Sequence, residues 1–308
     1  MENTRAKTTR NSLILLLTAT IWGMAFVSQS KGMDYMHPFT FNGVRSLIGA
    51  AGILVYILIS RKIAGDKAAK LDWKLNVRAG LLCGIFLTIA STLQQFGIKY
   101  TSVGKAGFIT TLYIIFVPMF GIFLKKKVAP VVWAAASMAA VGMYLLCMTE
   151  SLRLGAGDIM VFLCAIAFAI QIMTVDHYAA RIDGAVVSCI QFTVCGVVCC
   201  IGALIWGQPT FGQLQDGLGA LLYAGVLSCG VGYTLQIVGQ KGLNPTVAAL
   251  IMSLESVIAT ISGWIAYKIG FLSTDQTLTP RQIAGCVIVF AAVILVQLPP
   301  EWFRFGKK

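Results

Sequence analysis

The sequence predicts an all-α membrane protein, with ten transmembrane helices arranged as two inverted five-helix repeats around a central cavity. Composition, charge placement and internal similarity each point there. The 308 residues are 57% hydrophobic and only 12% charged, with a mean hydropathy of +0.81. A water-facing domain carries roughly 25% charged residues to cover its surface, about twice this density. Disorder is excluded too, because it needs low hydrophobicity and high charge, whereas long apolar runs recur here from Leu13 to Leu298.

Crossing roughly 30 Å of hydrocarbon takes a helix of about 20 mostly apolar residues. Ten segments meet that need, over 12–29, 38–59, 76–98, 104–124, 130–148, 158–178, 185–206, 217–239, 245–266 and 282–298. The first follows Arg5, Lys7 and Arg10, matches the later runs in length and leads into no small-residue cleavage pattern, so it is expected to stay in the protein. Every break is short enough for the positive-inside rule to apply. Alternate breaks carry Arg5, Lys7 and Arg10; Arg61, Lys62, Lys67, Lys70, Lys74 and Arg78; Lys125, Lys126 and Lys127; Arg181; Lys241; and Arg304, Lys307 and Lys308, which is 17 basic residues. The opposite breaks hold six, Lys31, Lys99, Lys105, Arg153, Lys268 and Arg281, and Arg45 lies within a span, completing the 24. Both termini are therefore expected in the cytoplasm, and because a miscounted span would reverse the alternation, the bias supports the count of ten.

The net charge of +12 is thus distributed as membrane rims. Nucleic acid is not an expected partner: no basic region is attached to a folded soluble module, and the longest break, 60–75, is too short for one. The nine cysteines, at 83, 147, 164, 189, 195, 199, 200, 229 and 286, all fall in predicted spans, without a CxxC pair or a His-Cys cluster. They read as reduced packing thiols, and no metal, disulfide or cofactor is expected. The sequence contains no phosphate-cradling loop, nucleophile elbow or paired catalytic carboxylates, so no enzyme is expected.

A shift of 142 residues pairs Gln94 with Gln236, Gly97 with Gly239, Lys99 with Lys241, Ala106 with Ala248, Leu112 with Leu254 and Gly121 with Gly263. A shift of 146 relates the earlier parts, placing Trp22 opposite Phe168 and Arg45 opposite Gln191. The two units are 1–149 and 150–308. Since five is odd, the second enters the membrane from the opposite side, the architecture in which secondary transporters hold a midplane site and alternate its access. Small residues at Gly80 and Gly84, at Gly225, Gly230 and Gly232, and at Ser253 and Ser256 let helices approach closely.

These residues resemble the EamA family of the drug/metabolite transporter superfamily over nearly the whole chain. The first half carries Trp22-Gly23, Arg45 and the run Gly97-Ile98-Lys99-Tyr100-Thr101-Ser102, followed by Ala106, Leu112 and Pro118. The second carries Gly157-Asp158, Gln240-Lys241, Leu254-Glu255-Ser256-Val257 and Leu278-Thr279-Pro280-Arg281-Gln282 with Gly285. The resemblance implies that spans one to four and six to nine surround a central cavity, that spans five and ten lie outside, and that small metabolites are exported or exchanged. Two departures stand out. The family often ends its fourth span with Gly-Glu, where Leu124-Lys125-Lys126-Lys127 stand, and often has proline in place of Ser256.

Glu255 is the sharpest signal, being mid-span while the other eleven acids lie in loops or at span ends. A charge at the bilayer centre costs a few kcal/mol, so it faces a cavity or has a partner. It reads as a protonatable carboxylate that binds a proton or a cationic substrate in one facing state and releases it in the other, or as a staple paired with Arg45. Arg45 could bind a substrate carboxylate, snorkel to the non-cytoplasmic rim, or pair with Glu255. Gln94, Gln95, Thr110, Thr111, Tyr113, Gln171, Gln191, Tyr233 and Gln236 lie at depth, with Tyr113 at the repeat position of Glu255 and Trp22 as an aromatic wall. Singly each could bond helix to helix; as a set they suggest a polar cavity. Asp176 and His177 read as a solvated pair.

The expected function is a secondary transporter of a bacterial inner (plasma) membrane, moving a small amino-acid-like or amphipathic metabolite by alternating access, with proton coupling as one version. A polar-lipid carrier or scramblase using the same cavity, and a non-transporting receptor or assembly subunit, are the alternatives. Partners are then the small-molecule substrate, the lipid bilayer, protons if coupling operates, and a second copy if the chain forms a homodimer.

Overall fold

The computed structural model describes residues 2–65, 71–124, 129–147, 155–273 and 275–297, and those residues form helices and short turns. The helices are α1 (Glu2–Gly32), α2 (Pro38–Ala64), α3 (Trp73–Ile98), α4 (Val103–Thr111), α5 (Tyr113–Phe123), α6 (Pro130–Cys147), α7 (Ala156–Tyr178), α8 (Gly184–Gly202), α9 (Phe211–Asp216), α10 (Leu218–Leu222), α11 (Tyr233–Gln240), α12 (Pro245–Met252), α13 (Leu254–Lys268) and α14 (Pro280–Gln297). Wider π turns extend α8 over Ala203–Gly207 and join α10 to α11 over Tyr223–Gly232.

Among the described residues eight stretches are long and apolar enough to cross a membrane: Lys7–Gly32, Pro38–Ala64, Trp73–Ile98, Val103–Phe123, Ala156–Tyr178, Gly184–Gly207, Leu218–Gln240 and Pro245–Lys268. They coincide with eight of the expected spans. The expected fifth and tenth fall on the shorter apolar helices Pro130–Gly142 and Pro280–Leu295. Of the charges expected on the cytoplasmic rim, Lys67, Lys70, Lys125, Lys126, Lys127, Arg304, Lys307 and Lys308 lie outside the described residues, as does Arg153.

Helix starts follow local chemistry. Pro38 and Pro245 open α2 and α12, where the missing N–H costs nothing because first-turn donors have no intrahelical partner. Asp72, Ser102, Asp183 and Asn244 cap α3, α4, α8 and α12, each accepting a backbone N–H within the first turn. Gly242 and Gly270 take φ of +80° and +76° just after α11 and α13, a conformation that favours glycine in such turns.

Packing is helix against helix, with α2 along α8, α3 along α7 and α8, and α1 along α11 and α13. In lipid such contacts rest on close approach rather than on apolar burial. A Cβ on Gly84 would lie 3.1 Å from Gln191 Cα on α8, and one on Gly225 would lie 2.9 Å from the Arg45 carbonyl on α2, so these small residues set the spacing. Outward faces stay apolar: Leu54, Val55, Tyr56, Leu58 and Ile59 are about half exposed or more, a stripe that suits hydrocarbon and not water. α6 and α14 pack chiefly on each other at the edge. The bundle they flank holds the polar residues.

Candidate functional site

Two spans break at the same depth, and the breaks build the site. Between α4 and α5 the helix steps at Leu112, and between α12 and α13 it steps at Ser253. The serine hydroxyls assist the second step, Ser253 Oγ donating to the Leu250 carbonyl at 2.7 Å and Ser256 Oγ to the Ser253 carbonyl at 2.8 Å. Glu255 therefore sits in the first turn of α13, where aligned amides favour an anion. Tyr113, the first residue of α5, donates its hydroxyl to Glu255 Oε1 at 3.0 Å. The carboxylate has an answering donor where a continuous helix would leave it among apolar neighbours.

Around this pair lies a small chamber of about 40 Å³, room for a few waters. Nine of the twelve residues singled out from the sequence line it: Trp22, Arg45, Gln94, Thr110, Tyr113, Gln171, Tyr233, Gln236 and Glu255. Gln171 and Gln236 pair their amides, Nε2 to Oε1 at 3.4 and 3.2 Å in the two directions, and Gln94 Nε2 donates to Thr110 Oγ1 at 3.2 Å. The Trp22 and Tyr233 ring centroids are 4.5 Å apart, and Phe192 meets Tyr233 edge-on at 5.0 Å. α6 and α14 contribute no lining residue.

Gln95, Thr111 and Gln191 are fully buried but absent from the lining. Gln95 Nε2 bonds the Gln29 carbonyl at 3.2 Å, so it ties α3 to α1, and both amide atoms of Gln191 are unpartnered beside α3. Lining residues that sequence reasoning missed are Ala25, Phe26, Gln29, Ser46, Ser91, Phe168, Ser228 and Cys229, among others. A helical period carries some of them: Ala25, Phe26 and Gln29 lie three, four and seven residues beyond Trp22, on one face, and Ser91 lies three before Gln94.

Arg45 and Glu255 share the chamber but do not pair. Ion pairs form elsewhere, between Lys31 and Asp34 and between Lys105 and Asp158. Arg45 Nε donates to Asn42 Oδ1 at 2.8 Å, and its guanidinium lies 5.4 Å from the Phe41 ring centroid. Trp22 Nε1 and Gln29 Oε1 are buried at the chamber with no hydrogen-bond partner. A cation, a carboxylate, an orphan donor and an orphan acceptor thus converge on one small space. No group of three His, Cys, Asp or Glu residues that could hold a metal ion occurs among the described residues.

The profile of the EamA-like transporter family matches residues 10–148 and again residues 155–298. The chain belongs to that family. An uncharacterized transporter of Archaeoglobus fulgidus is 27% identical to it over 290 residues, covering 92% of this chain and 84% of the relative. The uncharacterized transporter YwfM of Bacillus subtilis is 24% identical, with 94% of each chain covered. A solved crystal structure, 16% identical, superposes with a TM-score of 0.74 over 96% of this chain and 99% of its own, which shows a shared fold. This EamA protein is therefore a multi-pass membrane transporter rather than an enzyme.

Proposed function

We propose that this EamA transporter is a ten-span carrier of two inverted repeats, 1–149 and 150–308, that moves a small amino-acid-like or amphipathic solute by alternating access across a bacterial inner membrane, with both termini cytoplasmic. The chamber carries the reading: Glu255, bonded only to Tyr113, faces the same space as Arg45, which has no carboxylate partner. Ionisable residues inside a membrane bundle are expensive and mark pathways. An ammonium on the solute suits Glu255, a carboxylate suits the fork of Arg45, and Phe26, Phe168 and Phe192 offer an apolar wall. At about 40 Å³ the described conformer is contracted around the site, so loading requires one end to open.

Purified protein in proteoliposomes with an internal pH dye, challenged by a metabolite library, tests this, with Glu255→Gln beside the native chain. Proton flux triggered by one solute class and lost in the variant supports coupling through Glu255. Undiminished uphill transport by Glu255→Gln removes coupling and leaves facilitated exchange. The lipid-carrier alternative gains nothing from the lateral groove between α1 and α13, lined by Met24, Val27, Tyr223, Ile258 and Ile261 among others, because that groove shares no lining residue with the chamber.

A further inference from the structure

The bundle is tied near both ends by contacts that correspond under the internal repeat, yet the two differ in kind. At the end away from the N-terminus, α3 meets α7 where Gly97 packs against Val161 and the Gly157 carbonyl. There Asp158, 3% exposed, accepts from Lys105 Nζ at 2.6 Å, Thr101 Oγ1 at 2.8 Å and its own loop's Gly155 N–H at 2.9 Å. The start of α7 is thereby tied to the turn between α3 and α4. At the N-terminal end, α1 meets α11 where Gly239 packs against Leu15. There Asn11 Nδ2 donates to the Lys241 carbonyl at 2.7 Å, tying α1 to the turn between α11 and α12. A shift of 142 carries Gly97 onto Gly239, and a shift of 146 carries Leu15 onto Val161 and places Asp158 one residue from the mate of Asn11. Across the corresponding joints α7 is thus held at one end by an ion pair, while α1 is held at the other by a neutral hydrogen bond.

We infer that Asp158 with Lys105 and Thr101 is the latch of the outer gate, that Asn11 with Lys241 is the weaker latch of the inner gate, and that the unloaded carrier therefore opens by preference on its N-terminal side. This rests on the alternating-access reading. Charge-assisted bonds are roughly twice as strong as neutral ones, and parting Lys105 from Asp158 strands a carboxylate that is 4% exposed. Parting Asn11 from Lys241 strands neutral groups. Lys105 and Asp158 act as positioning residues, because neither lines the chamber.

Amide hydrogen exchange followed by mass spectrometry, on the full chain in nanodiscs, reads the opening of each end separately. In the native chain, segment 237–244 is expected to exchange faster than segment 97–105. Lys105→Met removes the charge and keeps the apolar stem; exchange of 97–105 then rises about tenfold while exchange of 237–244 falls, because one equilibrium governs both ends. Lys105→Arg restores the native ratio, and Asn11→Ala shifts both segments the other way. A rise confined to 97–105, with the N-terminal end unchanged, makes the ion pair a static staple and overturns the latch while leaving alternating access intact. Full protection of both segments in all chains overturns the alternating-access reading itself. Should Lys105→Met fail to give monodisperse protein, Thr101→Val puts the same reciprocal shift to the test with a smaller change.

Discussion

Replacing Tyr113 by phenylalanine removes one hydroxyl from the site and leaves the ring in place. That hydroxyl donates to Glu255 Oε1 at 3.0 Å, with Tyr113 2% and Glu255 4% exposed, so bulk solvent does not reach the bond. A hydrogen bond to a charged partner contributes about 1.5–3 kcal/mol, and one between neutral groups about 0.5–1.5 kcal/mol. Tyr113→Phe is therefore expected to cost about 1.5–3 kcal/mol in the native background, where the acceptor is a carboxylate. In a Glu255→Gln background the same change meets an amide oxygen and costs about 0.5–1.5 kcal/mol. The difference, a coupling of about 1–1.5 kcal/mol or roughly five- to tenfold in an equilibrium constant, isolates the charge-assisted part of the bond. Reversible unfolding of the four chains in mixed micelles, at one alkaline pH, measures it. Distant, independent sites add to within about 0.3–0.5 kcal/mol, so a cycle that closes inside that margin refutes a charged Glu255 held by Tyr113.

Gly232→Ala places a Cβ 2.7 Å from Trp22 Nε1, so the indole must move. A loss of about 1–3 kcal/mol in detergent stability, with loss of solute uptake, is expected, while Gly219→Ala, with nothing within 4 Å, leaves both unchanged. Asn244→Ala removes the side chain that accepts the Thr246 N–H at 2.9 Å and lowers the unfolding free energy by about 1 kcal/mol, whereas Asn244→Ser restores most of it. His37 lies between two spans and its affinity for a proton is lowered from the ordinary value of 6.5, first by burial and then by the charge of Lys99. The unfolded chain therefore takes up this proton more readily, so the stability tied to His37 is full above about 6.5 and declines as pH falls below it. A scan of thermal midpoint against pH should show that decline in the native chain and a flatter curve in His37→Gln.

Eight of the spans were legible because a bilayer leaves little choice: an apolar run of the right length has to satisfy its own backbone. The site was legible in part for the same reason, since Glu255 and Arg45 are conspicuous where charge is costly. What the pattern hides is internal geometry. Leu112 follows Thr110 and Thr111, and Ser253 precedes Glu255 and Ser256, but a polar residue within a span reads equally as lining or as a break, so the sequence does not mark the steps, and the π turns over Tyr223–Gly232 widen a segment whose composition is that of any span. Nor could polarity separate lining from bracing. Gln94 and Gln95 are neighbours of identical type, yet one faces the chamber and the other ties α3 to α1, because successive residues on a helix point about 100° apart. The open choice between an Arg45–Glu255 staple and two separate charges was a question of a few ångströms, which only the Tyr113 contact and the Arg45–Asn42 contact answer.

Ser256 shows how the break and the carboxylate depend on each other. Proline, frequent at this place in the resemblance noted from the sequence, would end the preceding helix by lacking an N–H. Here the serine N–H donates to the Ser253 carbonyl at 3.1 Å and its hydroxyl donates to the same oxygen at 2.8 Å, a tight local turn built from one residue. Such hydroxyl-to-backbone bonds compete with the regular helical ladder and bend it. The turn ends α12 at Met252 and restarts the helix at Leu254, which puts Glu255 within the first turn of α13 and opposite the first residue of α5. A carboxylate one helical turn further on would lose the amide dipoles; one turn earlier would face the end of α12, where carbonyls repel it. The position of the charge is thus set by the break, and the break is set by Ser253 and Ser256. This is why the acid that looks misplaced in the sequence is the one the local backbone is arranged to hold.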